Sequence, residues 1–393
     1  MIYLDNAATS WPKPDIVYQT MVEFLKTKGG NPGRGSHSMA LAAMETIEET
    51  RMLVARLINA PDKNRLIFTF NCTDALNLAL KGLLKEGDHV IISSVEHNSV
   101  IRPLSRLSKN GVEITKLQPS CENGIVTYQS IKEAIKKNTK LIVMTHSSNV
   151  TGIVQPIEEY GDIARKYNLI LLVDAAQTVG KYPIDVQAAQ IDLLAFSGHK
   201  GLFGPPGTGV LFVGERVNLN SIREGGTGSQ SELEEQPNFL PDKFESGTPN
   251  TMGISGLGAG IKFIFSEGLD RIRAHGQLLT EKLIEGLSKI PGLTIYNGKD
   301  IFKQIPIISI TLKGYTPGEV GIILDQAFDI KVRTGLHCAV LAHKTIGTYP
   351  FGTIRLSPGY FNSIDEIDIT IQALKQIVKT RSKIYAKSWR KSE

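Results

Sequence analysis

Short β-branched and apolar runs recur through the first half of the chain: LIFTF at 66–70, HVIISS at 89–94, KLIVMTH at 140–146, LILLVD at 169–174, LLAFS at 193–197 and GVLFV at 209–213. Between them lie segments such as ALNLALKGLLKEG and PIEEYGDIARKYN, whose apolar positions recur at helical spacing and which end near Gly or Asn. This alternation predicts an α/β sheet with crossover helices. The runs are apolar at successive positions, so both faces of each strand need cover and the strands should be mostly parallel. From 215 to 250 the pattern lapses into Gly, Ser, Pro and Glu, which predicts long loops beside a site. Beyond them the spacing predicts one long helix over 253–289, strands near 293–297 and 305–312, the helical segment PGEVGIILDQAF, a strand at KVRTG and a last helix after Asn362. The expected division is a large domain over 15–255, with 1–14 and 256–393 forming a smaller α/β domain.

Composition changes this picture little. The 393 residues hold 44 Lys plus Arg against 39 Asp plus Glu, with 41% apolar and 21% charged residues, which excludes disorder as the dominant state. Part of the +5 charge sits in the tail KTRSKIYAKSWRKSE. That tail has neither a clean apolar face nor a continuous charge block, so neither a nucleic-acid nor a membrane partner is expected. Three cysteines are too few for a disulfide framework, and none forms a Cys-x-x-Cys metal pair. The start MIYLDNAATSWPKP has no apolar core of a secretory signal, and no run approaches membrane-spanning length. A cytoplasmic, reducing setting is the expectation. The eight histidines show no His-x-x-x-His or Glu-x-x-His pair on one helix face, which argues against a metal hydrolase.

Ligands of open α/β sheets bind beyond the carboxyl ends of the strands, and the residues there are polar. Asn71-Cys72-Thr73-Asp74 follows the first run and opens a helix, which suits a phosphate cradle but also an ordinary N-cap. Glu96-His97-Asn98 places an imidazole after the second run. Asn149 follows the third, and Asp174 closes the wholly apolar LILLV, with Gln177 after it. A buried Asp174 must pair with a cation or be neutralised, unless it merely caps the next helix. The fifth run ends in Ser197-Gly198-His199-Lys200 before LFGPPGTG. A lysine there suits an amine held for Schiff-base formation with a carbonyl cofactor. Together with a phosphate cradle, an acid and an imidazole it matches the demands of pyridoxal 5'-phosphate.

The motifs DNAATSWPKP, VEHNSV, SSNVTG, VDAAQ, FSGHK, FESGTPN and RTGLHCA resemble those of the class V aminotransferase group, and within it the cysteine desulfurases of the Suf type. The resemblance runs from about residue 3 to 375. It implies a fold-type I pyridoxal-phosphate enzyme, with a mostly parallel sheet of the seven-stranded type sandwiched by helices. Lys200 would be the Schiff-base lysine, His97 would stack on the pyridine ring and Asp174 would bind the ring nitrogen. Asn149 and Gln177 would contact the phenolic oxygen. Thr73, Asp74, Ser197 and His199 would lie at the phosphate, and Thr248 would reach the phosphate of the neighbouring subunit of a homodimer.

Cys338, in Arg333-Thr334-Gly335-Leu336-His337-Cys338-Ala339, lies before a Gly-, Lys- and His-containing loop that suggests exposure, with Arg333 and His337 as nearby positive charge. A buried small hydrophobe is the alternative for any free cysteine. Arg355 in GTIRLSP could grip a carboxylate in two hydrogen bonds and, by resemblance, anchors the substrate. Arg34 in NPGRGSH is a second candidate, although its surroundings also suit a turn. The expected reaction turns L-cysteine into L-alanine and leaves a persulfide on Cys338 for a sulfur-acceptor or scaffold protein, as in iron–sulfur cluster assembly. Lys200 moves the α-proton, and His97 and His337 are proton relays. The chain departs from the Suf pattern at Leu336, where that pattern has His. Selenocysteine lyase and cystine or cysteine C–S lyase keep Lys200 and Asp174 and depend differently on Cys338. A silent pyridoxal-phosphate fold acting as a regulatory partner, and transfer to a keto acid, are further alternatives.

Overall fold

The computed structural model describes residues 1–389 except Arg34, Ser36 and Lys299, and gives only the backbone course over 381–389. The chain enters through β1 (Ile2–Tyr3), α1 (Asp15–Thr27) and α2 (Ser38–Ile58). It then builds a seven-stranded sheet from β2 (Leu66–Thr69), β3 (His89–Ser93), β4 (Glu113–Leu117), β5 (Thr139–Thr145), β6 (Ile170–Asp174), β7 (Leu193–Ser197) and β8 (Gly209–Val213). The order is β2-β8-β7-β6-β5-β3-β4. Only β8 runs against its neighbours; the other pairs are parallel.

The six apolar runs become β2, β3, β5, β6, β7 and β8. Their alternate side chains enter two separate cores. Ile142, Leu171, Leu194 and Phe212 face one side, with Val54, Ile163 and Leu257 packed on them. Val143, Leu172, Leu193 and Leu211 face the other, against Leu76, Leu80 and Leu104. The covering helices include α3 (Cys72–Leu83), α4 (Asn98–Ser108), α5 (Tyr128–Ala134) and α6 (Ile157–Lys166). β4 was not apparent in the sequence because it is an edge strand with no buried residue, and its pattern EITKL lacks a continuous apolar run.

The expected helix over 253–289 is two helices, α7 (Thr251–Glu267) and α8 (Leu269–Ser288). They part at Gly268, whose φ of 84° lies outside the helical region that L residues can share. The apolar period alone does not register that break. A division at 255/256 would cut α7, which packs on α1 and α2. The close packing of α7 needs its glycines: a Cβ on Gly260 would lie 2.2 Å from Leu202 O.

The C-terminal part comprises β9 (Leu293–Tyr296), β10 (Ile308–Leu312), α9 (Pro317–Phe328), β11 (Ile330–Lys331), β12 (Arg333–Gly335), α10 (Val340–Thr345), β13 (Thr353–Leu356) and α11 (Ile364–Trp389). Its antiparallel sheet β12-β13-β10-β9 shares a core with α8, α9 and α11. β1 pairs in parallel with β11, so the first residues of the chain are tied to this part. Residues 215–250 form no helix or strand. They are pinned by Glu245, which accepts the edge N–H of Phe68 at 2.6 Å and pairs with both terminal nitrogens of buried Arg51 at 2.8 and 2.9 Å. The sheet edge therefore has a fixed partner in place of water.

Candidate active site

The polar strand ends converge at one edge of the large sheet and meet β12 and β13 there. At the start of α3, Asn71 is the N-cap and accepts Asp74 N–H at 2.9 Å. Asp74 returns its carboxylate to Phe70 N–H at 3.1 Å and faces Arg223 at 3.9 Å. Its backbone donor and its carboxylate are thus committed to capping, and the expected place of Asp74 in an anion cradle is not supported. Thr73 and Ser197 lie at the same helix start: Ser197 Oγ accepts Cys72 N–H at 3.2 Å, and Thr73 Oγ1 meets Ser99 Oγ at 2.7 Å.

His97 caps α4. Its Nδ1 accepts Ser99 N–H at 3.1 Å and lies 2.9 Å from Ser99 Oγ, so the neutral ring carries its proton on Nε2. Burial, opposed by Asp174 and reinforced by Lys200, Arg333 and Arg355, pushes its pKa down to about 4. Ser99 joins His97 to Thr73 and was not singled out in the sequence. Its signal is the two-residue spacing from His97 at a helix start.

Asp174 is buried at the end of β6. Its Oδ1 accepts Ala176 N–H at 3.0 Å and the thiol of Cys72 at 3.5 Å. Burial first, and then Asp174, drive the pKa of Cys72 well above its ordinary value, so it remains a neutral donor. The sequence reading gave Cys72 no role in the site. Nothing in the sequence marks its contact with Asp174, which depends on two parts of the chain 102 residues apart. Burial also holds the Lys200 amine below its ordinary value, against the attraction of Asp174. Gln177 donates to Ala7 O at 3.0 Å, and its buried Oε1 has no partner. Buried His199 Nδ1 likewise has none, and burial and the nearby lysines push that ring down to about 4.

The thiol-bearing turn is tied to the sheet ends by two bonds. Asn149 Nδ2 donates to His337 O at 2.7 Å, and Asn98 N–H donates to Cys338 O at 2.8 Å. His337 and Cys338 both take positive φ, 48° and 57°, a conformation costly for side chains other than Gly. Cys338 is exposed, and Arg333 Nη2 lies 3.9 Å from its sulfur. His337 is different. Its ring is buried, bonded to Thr353 Oγ1 at 3.0 Å and packed 5.4 Å from the ring of His343. Burial and the neighbouring Arg355 push it down to about 2. It supplies no positive charge to Cys338, and the proton-relay expectation for His337 is not supported.

Arg355 is 2% exposed and stands opposite Arg333 in the β12–β13 register. Its Nη1 donates to Asn149 O at 3.2 Å and its Nη2 to Asp5 Oδ1 at 2.7 Å, while buried Nε is free. Asp5 was not singled out as a site residue. Its signal is an acid directly after the apolar IYL of the first strand. Within one chain Thr248 lies elsewhere, in an exposed cleft with Phe70, Arg223 and Asn250. Arg34 lies outside the described residues.

The sequence matches the Aminotransferase class-V family over residues 2–370. The chain is similar to a probable cysteine desulfurase of Methanothermobacter thermautotrophicus, 37% identical over 96% of this chain and 94% of the relative. It is likewise similar to a cysteine desulfurase of Salmonella agona, 32% identical over 96% and 93%. Two solved structures superpose on 96% of the chain. One is an apo cysteine desulfurase of Thermococcus onnurineus NA1, with TM-score 0.87, 33% identity and 95% of that chain covered. The other is the cysteine desulfurase CsdA of Escherichia coli in an S-sulfonic acid form, with TM-score 0.86, 26% identity and 94% covered.

Proposed function

The chain belongs to the class-V aminotransferase family, and we propose that its site converts L-cysteine to L-alanine and leaves the sulfur as a persulfide on Cys338. It is a pyridoxal-phosphate-dependent enzyme of the cysteine desulfurase kind, on the fold-type I scaffold of its structural neighbours. The observation that carries the thiol's part is the exposed Cys338, bound through its own carbonyl and that of His337 to the sheet ends that bear His97 and Asn149.

The residues fit the cofactor. The amine of Lys200, the acid of Asp174, the neutral ring of His97 and the hydroxyls of Thr73 and Ser197 at the start of α3 are one donor–acceptor set. The unpartnered Gln177 Oε1 and His199 Nδ1 lie in the same loops. When bound, pyridoxal phosphate supplies an electron sink for charge developing at the substrate Cα. Asp174 would keep a proton on the ring nitrogen, and Cys72 would hold Asp174 by its thiol. Thr73, Ser197 and His199, at the start of α3 and the end of β7, would receive the phosphate. His97, fixed by Ser99, would present a flat neutral face to the ring. Lys200, its proton affinity lowered by burial, would take the α-proton and return it. Arg355 would take the substrate carboxylate, with Asp5 and Asn149 O orienting the guanidinium and Arg333 alongside. Cys338 Sγ would then bond to the substrate sulfur as the Cβ–S bond breaks, with Arg333 donating toward the anionic sulfur.

A homodimer is part of this proposal. Thr248 lies in a cleft of its own and is free to serve a second copy. Helices α1 and α2 also expose Tyr18, Val22, Leu25, Leu41, Met44 and Met52, apolar surface that a second subunit would cover. The further partner would be a sulfur-acceptor protein, and the setting cytoplasmic. Among the described residues no helix is long and apolar enough to cross a membrane. The division of the chain is proposed at Gly268, between α7 and α8.

The test is the stoichiometry of alanine and sulfide from L-cysteine with a thiol reductant, repeated on L-selenocysteine and L-cystine. Equal alanine and sulfide from cysteine support the proposal. Alanine from selenocysteine alone, or pyruvate in place of alanine, moves the chain to a lyase. Two variants test the supporting shell. Cys72→Ala should lower kcat/KM about threefold, the worth of one modest hydrogen bond, and Cys72→Ser should restore most of it. Asp5→Asn should cost about 2 kcal/mol of stability in urea unfolding, less than for a fully enclosed pair because Asp5 keeps 22% exposure.

A further inference from the structure

A second, partly enclosed space lies between α8 and the loops that follow β6 and β7, and Lys200 is the strand-end residue it shares with the site described above. It is small and is lined by Lys181, Lys200, Arg273 and Gln277, with apolar walls that include Phe203 and Pro306. Three nitrogens of these side chains are buried without any partner: Lys181 Nζ, Arg273 Nε and Gln277 Nε2. Three of the lining residues are cationic and none is acidic. Arg273 is held in place by Nη2 donating to Phe302 O at 3.1 Å and by its Cζ lying 4.3 Å over the Tyr182 ring. Gly276, between Arg273 and Gln277 on α8, lets the helix close on Pro306, which a Cβ would approach to 2.8 Å.

Buried donors that lack acceptors are costly, and buried cations without a counter-charge more so. We propose that this cavity is a binding site for a small monoanion, its charge met by Lys181, Arg273 and Gln277 and its body by the apolar walls. The donor set favours a short carboxylate or a halide. It disfavours α-amino acids, whose ammonium would meet two lysines and an arginine. The low proton affinity of the Lys181 amine, pushed by burial and then by Lys200 to about 7, fits a lysine waiting for a counter-ion. Occupancy would raise the proton affinity of the Lys181 amine. The inference does not depend on the reaction proposed above.

The test is thermal unfolding of the full-length holoenzyme against sodium acetate and, separately, sodium bromide, with Lys181→Met and Arg273→Met as matched controls. Wild type should show a saturable rise of about 3 °C at an anion concentration a hundredfold above Kd. Lys181→Met should show none, and should melt higher than wild type without added anion because an unpaired buried amine is gone. A rise with acetate alone assigns an organic carboxylate; a rise with both anions assigns a site open to inorganic ions as well. Crystals soaked in bromide should then show anomalous density within hydrogen-bonding distance of Lys181 Nζ. A rise equal in wild type and Lys181→Met, or no saturable rise with either anion, would overturn the proposal.

Discussion

Lys200→Ala is expected to lower alanine formation from L-cysteine by about 10³-fold or more, since a positioned acid–base group contributes roughly 10²–10⁴ and the covalent attachment point is lost with it. The site explains why no neighbour replaces the amine. His97, with Nδ1 committed to Ser99 and a pKa near 4, is a poor base at neutral pH. Asp174 has its Oδ1 occupied by Cys72 and Ala176. The other cofactor-holding residues are untouched by the substitution, so the variant should still bind pyridoxal phosphate non-covalently, measurable by equilibrium dialysis. Added methylamine, small enough for the space vacated by the side chain, should recover part of the rate in proportion to its free-base form. Activity within tenfold of wild type would remove Lys200 from the proton-transfer role.

Most of the large sheet was legible because its strands are buried on both faces: an unbroken apolar run such as LILLV has few other stable placements in a soluble chain. Lys200, Asp174 and His97 stood out for a related reason, each being a polar group at the end of such a run or within three residues of it. β4 was not legible, because EITKL is no such run and none of its residues is buried. The break at Gly268 was masked by apolar spacing that continues from α7 into α8. At the site, sequence showed which residues were polar but not how they spend their hydrogen bonds. Asp74 turned out to cap its own helix, and the left-handed backbone at His337 and Cys338 sends one side chain inward and the next out. The contacts Asp5–Arg355 and Cys72–Asp174 join distant segments, and no local pattern marks either.

Cys338→Ala should abolish sulfide release from L-cysteine, by about 10³-fold or more, while leaving cofactor binding unchanged. The sulfur of cysteine needs a nucleophile to accept it as the Cβ–S bond breaks, and among the described residues the other thiols are badly placed. Cys72 is buried and bonded to Asp174, and Cys121 lies in the exposed turn after β4. Cys338→Ser should fare no better, because a hydroxyl cannot carry sulfane sulfur. Arg333→Met should slow the reaction about tenfold, a loss in kcat more than in KM, since Arg355 keeps the carboxylate. The turn supports a clean comparison: its backbone is held by Asn98 and Asn149 through carbonyls, not through the thiol, so the alanine variant retains its geometry. L-selenocysteine separates the remaining readings. The C–Se bond breaks more readily than C–S and depends less on an attacking thiol. If the alanine variant loses the cysteine reaction but keeps the selenocysteine one, Cys338 is the sulfur acceptor. If both persist, the thiol is a bystander and the site is a C–S lyase.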